Sequence, residues 1–263
     1  MPVEPVQPSR GGGKRAAAQQ RIAAKRAAEA AARAAAERRR RTVIGAVVAA
    51  VVLVVALVAV VLVQTQRTQT PVDSAAPANT VDGGTAVALG PPDAPVTVDV
   101  YEDFQCPVCQ QFEAGTGQTL DQLMADGTIS VHYHPIAFLD RASSTEYSTR
   151  ALNAAAVVLD TAGTQAFEEF HDLLFADQPA EGSAGLTDDQ LISYAGQAGA
   201  TGPTVAADIR DRTYEGWTQR VTDQSSKDGI TGTPTIKVNG TELSAAQRTP
   251  EGLTAAVQAA AAA

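Results

Sequence analysis

Two cysteines are the residues of this sequence whose type and spacing most directly indicate chemistry. Cys106 and Cys109 are the two cysteines of the chain, and Pro107 and Val108 separate them. Two thiols at this spacing can form a readily exchanged disulfide, an inert structural disulfide or half of a zinc site. The pair by itself therefore leaves redox, structural and metal-binding roles open.

The sequence before the pair places Cys106 at the start of a helix. Residues 96–101, VTVDVY, are alternating and β-branched, as in a strand, and Pro107 fits the first turn of the helix that follows. The free N–H groups and the dipole of a helix N-terminus stabilise a thiolate, so the pKa of Cys106 falls below its usual value. This arrangement predicts Cys106 as the exposed attacking cysteine and Cys109 as the buried resolving cysteine.

The three histidines of the chain are the other candidate metal ligands. His132 and His134 lie two residues apart on a predicted strand, so they point to the same face, and His171 follows much later. A zinc site commonly needs four ligands, and nothing in the sequence brings these histidines to the cysteines. We therefore expect no metal site and no cofactor.

Charge is distributed very unevenly along the 263 residues. Residues 1–42 carry a formal charge of +8, residues 43–63 carry none, and residues 64–263 carry −17. The uncharged run would rise about 31 Å as a helix, which is enough to cross a membrane. Arginines at positions 38–41 adjoin its start, and basic flanks stay in the cytoplasm. The sequence predicts an uncleaved, single-pass anchor with a cytoplasmic N-terminus and an extracytoplasmic remainder.

The segments on either side of this anchor have simple compositions. Residues 1–42 are basic and free of aromatic residues, so we interpret them as a cytoplasmic segment beside anionic lipid, and we expect it to be partly disordered. The acidic remainder of the chain does not suit nucleic acid. Residues 64–85 are polar and rich in Pro, Gly, Ser and Thr, which predicts a linker before a folded domain at residues 86–263.

Strand and helix patterns alternate within this domain. The predicted strands are Ala86–Leu89 at a sheet edge, Val96–Tyr101, Thr128–His134, Thr235–Val238 and Thr241–Leu243, the last two joined by an Asn239-Gly240 turn. The predicted helices are Cys106–Met124, kinked or ended early at Gly115 and Gly117, Ser143–Asp160, Thr164–Phe175, Thr187–Ala198, Pro203–Ser226 and Thr249–Ala262. The order predicts an α/β fold with a mixed sheet, βαβ then ββα, and a helical insertion at about residues 140–228.

A distant turn completes a recognisable pattern. The strand VTVDVYEDF, the motif from Cys106 to Cys109, the helical block, and the Gly-Thr-Pro-Thr turn at Thr233 and Pro234 follow one another in this order. Together they resemble the DsbA-like thiol–disulfide oxidoreductases of the thioredoxin superfamily, over residues 86–263. Ordinary thioredoxins have a shorter connection between the cysteines and the proline turn, and the 125 positions found here fit an inserted helical subdomain.

The resemblance implies a role for each part of the motif. Pro234 would be a cis-proline facing Cys106 and Cys109, and the Thr233 backbone would bind a substrate strand. The two residues between the cysteines would support the active site. Cysteine-containing exported proteins would be oxidised through a mixed disulfide at Cys106, and a quinone-linked membrane protein of the DsbB or vitamin-K-epoxide-reductase type would reoxidise the pair. We expect a monomer without a cofactor.

Two positions depart from the family pattern. The best-known oxidases have a histidine before the second cysteine, where this chain has Val108, which cannot donate a hydrogen bond. Many relatives also bury a carboxylate six residues before the first cysteine, where this chain has Val100, although Asp99, Glu102 and Asp103 lie nearby. We therefore expect a pair less oxidising than the strongest oxidases, whose potential is about −120 mV.

The sequence thus favours an extracytoplasmic oxidase and leaves three alternatives open. The first is a reductase or isomerase, which would use the same chemistry in another direction. The second is a membrane-tethered binding module with an inert disulfide. The third is a metallochaperone that would use His132 or His134 together with the cysteines. Trp217 and Tyr214 are expected in the core of the domain.

Overall fold

The computed structural model describes residues 75–262, and a mixed six-stranded sheet lies at the centre of this part of the chain. The strands are β1 (Thr80–Val81), β2 (Ala86–Leu89), β3 (Val96–Glu102), β4 (Ile129–Pro135), β5 (Thr235–Val238) and β6 (Thr241–Glu242). Their order in the sheet is β1-β2-β4-β3-β5-β6. Strands β3 and β4 are parallel and the other neighbouring pairs are antiparallel, so the predicted mixed sheet is confirmed.

Helices cover this sheet and fill the long connection between β4 and β5. They are α1 (Pro107–Ala125), α2 (Tyr147–Ala162), α3 (Thr164–Ala176), α4 (Asp188–Gln197), α5 (Val205–Arg210), α6 (Glu215–Lys227) and α7 (Pro250–Ala261), with 3-10 turns at Phe138–Arg141 and Ala245–Gln247. Helices α2 to α6 form the inserted block, while α1 and α7 pack against each other.

Strand β3 carries the chain to the cysteine pair. Val96, Val98 and Val100 alternate along it and are fully buried, and Leu120 of α1 and Leu253 of α7 belong to the same core. Full burial of such a side chain contributes about 1.5–3 kcal/mol. Because β3 is hydrogen-bonded on both sides, by β4 and by β5, the end of this strand is a rigid base for the residues that follow.

Strand β2, which was predicted at the edge of the sheet, lies inside it, because β1 is the edge strand. Thr80–Val81 pairs with Ala86–Leu89 through a tight turn in which Asp82 and Gly83 have positive φ angles of 53° and 69°. Strand β1 lies within the segment predicted as a linker, residues 64–85. The prediction missed it because a two-residue strand has no alternating pattern and is fixed by its pairing alone.

Helix α1 continues without interruption to Ala125, so the predicted early end at Gly115 and Gly117 is wrong. A side-chain Cβ at Gly115 would meet no neighbouring atom, and another face of the helix is buried through Phe112 and Leu120. Each glycine weakens a helix by roughly 0.5–1 kcal/mol, and burial of that apolar face offsets the loss.

The predicted helix Pro203–Ser226 is instead two helices, α5 and α6. Arg212 lies between them with a φ of 52°. Asn153 of α2 is fully buried there, donates to the carbonyl of Ile209 and accepts from the N–H of Tyr214. One long-range side chain therefore satisfies the backbone groups of both helix ends, which the local sequence could not reveal.

Two local signals are confirmed by the backbone. The Thr187 hydroxyl accepts from the N–H of Gln190, and the Gln190 side chain accepts from the N–H of Thr187, which forms the predicted capping box. Asn239 and Gly240 have φ angles of 43° and 78°, as a tight hairpin turn requires.

Within residues 75–262, no helix has the length and apolarity that a membrane crossing requires. The predicted anchor at residues 43–63 and the basic segment at residues 1–42 lie outside the described residues.

Candidate active site

The junction between β3 and α1 positions the cysteine pair. Cys106 is the N-cap of α1, with φ −81° and ψ 115°, and Pro107 occupies the first turn. Cys109 lies one turn further along and is fully buried, while Cys106 is 6% exposed. Both are free thiols. The helix start agrees with the prediction, but Cys106 is much less exposed than expected because the loop before β5 lies against it.

That loop contains the proline turn. The Thr233–Pro234 peptide bond is cis, and the Cys106 sulfur lies 3.4 Å from the Thr233 carbonyl oxygen. The turn is held from both sides: the Thr235 hydroxyl donates to the carbonyl of Gly232, and Arg248 Nη1 donates to the Pro234 carbonyl at 2.6 Å. A turn 124 residues after Cys109 is thereby fixed against the first cysteine.

The two thiols have pKa values shifted in opposite directions. A hydrogen bond from the Cys109 thiol lowers the pKa of Cys106 to about 6, against the effect of burial and with help from the Thr233 hydroxyl and the Val108 N–H. Burial raises the pKa of Cys109 far above its usual value, and negative charge at Cys106 and Glu102 raises this pKa further. At neutral pH the first sulfur is therefore a thiolate and the second is protonated.

Val108 is the large apolar side chain that is most exposed among the described residues, at 52%. Its position between the cysteines puts it at the surface beside the reactive sulfur. A valine side chain offers a partner apolar contact only, because it has no hydrogen-bonding group.

The inserted helical block contacts the start of α1. Gln105 is fully buried, and its amide nitrogen donates to the carbonyls of Ala180 and Ser183, each at 3.2 Å. Gln178 donates in turn to the carbonyl of Cys106 at 3.0 Å. The loop after α3 therefore holds the backbone on which the first cysteine lies.

Asp103 is a buried carboxylate just before this junction, and sequence reasoning left its role open. One oxygen accepts from the N–H of Gln105 and from the Ser148 hydroxyl, and the other accepts from the N–H of Leu139. Burial raises the pKa of Asp103 to about 6, although these hydrogen bonds favour the charged form. The carboxylate ties the active-site loop to α2 and to the 3-10 turn.

Glu102 and His171 form a buried pair that the sequence analysis did not identify as functional. Glu102 is 1% exposed and His171 is 2% exposed, and Oε1 of the glutamate lies 2.7 Å from Nε2 of the histidine. Burial lowers the pKa of His171, but the charge of Glu102 and hydrogen bonds to Glu102 and Asp172 raise it well above the usual value. Burial and the charge of Glu102 raise the pKa of neighbouring Glu113 to about 8.

The sequence did contain one signal for this pair. Glu102 is two residues after Val100 and four after Val98, so a period of two places it on the same buried face of β3. A charged residue in phase with a buried row needs a partner inside the protein. Its partner, His171, could not be named, because it comes from a helix 69 residues later.

His132 and His134 do not approach the cysteines. On β4 they pair instead with Asp82 at 2.7 Å and Asp99 at 3.2 Å. The two clusters of potential metal ligands among the described residues contain no cysteine. Trp217 is buried, as expected, and its indole donates to the carbonyl of Gly84.

Comparisons with known proteins agree with this geometry. A family model described as Thioredoxin matches residues 82–259. The chain is similar to the reduced crystal structure of DsbA from Mycobacterium tuberculosis, with 32% identity, a TM-score of 0.56, and coverage of 68% of this chain and 98% of that one. It is also similar to the reduced form of DsbG, a disulfide bond oxidoreductase of the same organism. The identity is 33%, the TM-score is 0.57, and the match covers 68% of this chain and 93% of that one.

One relative is a larger protein, and only part of it is similar to this chain. The serine/threonine-protein kinase PknE of Mycobacterium tuberculosis is 29% identical over 157 residues, which are 57% of this chain. The chain spans 28% of the kinase's length. The structural neighbours, by contrast, are matched along nearly their whole length and are thiol–disulfide oxidoreductases. The chain belongs to the thioredoxin family, and the part that the structure describes is a protein thiol–disulfide oxidoreductase domain.

Proposed function

We propose that this chain is an extracytoplasmic oxidase that introduces disulfides into exported proteins. One observation carries the proposal: the two thiols have opposed pKa values, about 6 for Cys106 and far above the usual range for Cys109. A low pKa stabilises the reduced form of the pair and makes its disulfide a better electron acceptor. An inert structural disulfide needs no such asymmetry.

The reaction is two successive thiol–disulfide exchanges. A substrate thiolate attacks Cys106 in the oxidised pair, the bond to Cys109 breaks, and a mixed disulfide forms. A second substrate thiolate then attacks the substrate sulfur of that bond. Cys106 leaves readily as a thiolate because its pKa is low, two electrons have passed to the pair, and the substrate carries the new disulfide.

The substrate would lie along the turn at Thr233 and Pro234. The Thr233 carbonyl is 3.4 Å from the Cys106 sulfur, close enough for the backbone of an extended peptide to pair beside the reacting atoms. The exposed Val108 side chain would add an apolar contact next to it. Selection would then depend mainly on extended backbone and on an accessible cysteine, which suits many different clients.

The direction of exchange depends on the reduction potential. Thiolate pKa values of about 3.5 in DsbA and about 7 in thioredoxin accompany potentials of about −120 and −270 mV. The pKa of about 6 at Cys106 lies between those two pKa values, which supports a reduction potential between the two potentials. A strongly reducing potential would favour the alternative, a reductase or isomerase acting on the same class of protein.

We also propose that the chain is attached to the membrane. Residues 43–63 would anchor the chain, with residues 1–42 in the cytoplasm and residues 64 onward outside it. The reduced pair would be reoxidised by a quinone-linked membrane protein of the DsbB or vitamin-K-epoxide-reductase type. The anchor would keep the monomeric domain close to this partner.

The test uses the full chain purified in detergent, with a reduced protein of known disulfides as substrate. We expect the oxidised chain to restore substrate disulfides and Cys106→Ser to abolish this activity. When Cys109→Ala is given the disulfide-bonded form of the same substrate, the Cys106 thiolate should displace one substrate sulfur as a thiol and a mixed disulfide at Cys106 should accumulate. Activity that persists in Cys106→Ser, or no mixed disulfide in Cys109→Ala, would contradict the proposal. Reduction of insulin that is faster than oxidation of the test substrate would support the reductase instead.

A further inference from the structure

A strongly acidic cavity lies between α1 and α3, beside the helix that carries the cysteines. Its volume is about 470 Å³. Four carboxylates line it, and no lysine or arginine does so among the described residues; the four are Glu113, Asp121, Glu168 and Asp172. His171 is the one lining residue that can also carry positive charge. The cavity therefore suits a cation.

Three potential ligands converge at the inner end of this cavity. Glu102, Glu113 and His171 each offer a ligand atom, and these atoms all lie within 4.8 Å of one another. They come from three elements: the end of β3, the middle of α1 and the middle of α3. A single ion held by all three would join the active-site helix to the sheet and to the inserted block.

Unpartnered oxygens give an independent indication of a ligand. Glu102 is 1% exposed, and its Oε2 has no hydrogen-bond partner among the described residues. Oε1 of Glu113 is likewise buried and unpartnered. A buried carboxylate oxygen without a partner is strongly unfavourable, so a group that binds both oxygens would remove this penalty.

We propose that Glu102, Glu113 and His171 bind one divalent transition-metal ion. An imidazole nitrogen and two carboxylates are ligands that suit Zn²⁺ and Mn²⁺, and water in the cavity would complete the coordination. The ion would replace the proton of the hydrogen bond between His171 Nε2 and Glu102 Oε1. On its other side, Nδ1 of His171 lies 3.2 Å from the Asp172 carboxylate, which is the common orienting contact of a metal-bound histidine.

This site shares no ligand with the redox pair or with the second histidine cluster. The cluster of Asp82, Asp99 and His134 is already joined by ion pairs, in which the His134 ring lies 3.2 Å from Asp99 and 4.0 Å from Asp82. No described residue of that cluster has an unpartnered buried oxygen. It therefore provides a matched control, because it has a similar composition without the same need for a cation.

The experiment measures Zn²⁺ binding to the full chain in detergent, with Cys106→Ser and Cys109→Ser introduced so that thiols cannot bind the metal. After chelator treatment and dialysis, we expect one Zn²⁺ per chain by calorimetry and by elemental analysis. Glu113→Gln and His171→Gln should each weaken binding at least about tenfold. Asp99→Asn, in the second cluster, should leave the affinity unchanged. Circular dichroism establishes that each variant is folded.

A second measurement needs no change at the proposed ligands. The X-ray absorption spectrum of the Zn²⁺-loaded, thiol-free chain should show one imidazole among otherwise oxygen ligands, and Zn²⁺ should raise the melting temperature. Less than one Zn²⁺ per chain, a spectrum without imidazole, unchanged binding in folded Glu113→Gln, or loss of binding in Asp99→Asn would each overturn the proposal. If Glu113→Gln does not fold, the absorption spectrum alone decides.

Discussion

At the scale of single residues, the chemistry depends on how Cys106 and Cys109 differ. The first lies at the N-cap of a helix, while the second is enclosed in the core. Their identical side chains thereby acquire different pKa values, and each difference has a named physical cause that a substitution can remove.

The hydrogen bond from Cys109 is the largest cause of the low pKa of Cys106. Replacement of Cys109 by alanine should therefore raise the pKa of Cys106 from about 6 toward the ordinary value, 9.0. The rate of alkylation by iodoacetamide as a function of pH gives this pKa. Val108→Ala is the control, because it keeps the backbone N–H and should leave the midpoint unchanged. Equal midpoints in the chain and in Cys109→Ala would refute the assignment.

Position 108 should control the strength of the oxidant. Val108→His places a hydrogen-bond donor and a positive charge beside the thiolate, so the pKa of Cys106 should fall and the reduction potential should rise. Equilibration with glutathione buffers measures the potential. Val108→Thr, which has a similar size and no charge, should change it much less. A potential near about −120 mV in the unchanged protein would contradict the expected intermediate strength.

The same pKa makes the stability of the reduced form depend on pH. Folding lowers the pKa of Cys106 from 9.0 to about 6, so its contribution to stability is present above pH 9 and is lost as the pH falls through 6. The free energy of unfolding of the reduced form, minus that of the oxidised form, should therefore increase from pH 5 to pH 8. Urea titrations measure both values. Asp103 and other carboxylates occur in both forms and cancel, and a constant difference would exclude this linkage.

At the scale of helices and strands, local patterns predicted most of the fold. The alternation of VTVDVY, the capping box at Thr187 and the Asn239-Gly240 turn each depend on neighbouring residues, and each was confirmed. The wrong predictions concern features that depend on residues distant in the sequence. The break between α5 and α6 depends on Asn153, and β1 depends on its pairing with β2. Long-range contacts of this kind leave no periodic trace.

The candidate site divides in the same way. The motif at Cys106 and Cys109 and the turn at Thr233 could be identified because short patterns mark them. Glu102 and His171 could not be paired, because their contact joins β3 to a helix of the insertion. The cysteine motif and the proline turn together could therefore be interpreted from the sequence, whereas their buried surroundings needed the structure.

Two glycines should respond to alanine in opposite ways. A Cβ at Gly185 would overlap the ring of Tyr147, and the φ of this glycine is +69°, so Gly185→Ala should destabilise the protein by about 2 kcal/mol or more. Gly115 in α1 has open space around it, and Gly115→Ala should stabilise by about 0.5–1 kcal/mol. Urea unfolding of both variants checks the signs. A destabilising Gly115→Ala would mean that this position has a role beyond the helix.

At the scale of the whole molecule, the charge of the chain changes from +8 in residues 1–42 to −17 in residues 64–263. This contrast predicts two compartments. In intact cells that express the chain, a membrane-impermeant maleimide should label Cys106 after mild reduction. In a variant without the native cysteines, Ala16→Cys should be protected until the cells are lysed. Labelling of the two positions in the reverse order would contradict the proposed orientation.

The burial of Cys109 also affects what happens after a client has been captured. When the client's thiolate displaces this sulfur, the high pKa of Cys109 causes it to take up a proton. A protonated thiol attacks disulfides slowly, so Cys109 is slow to release the client unchanged. The proton on Cys109 therefore lengthens the lifetime of the mixed disulfide. The mixed disulfide then ends mainly when the client's own second thiolate attacks it and forms the client disulfide. The client must bring its second cysteine to the bond within the lifetime of this complex.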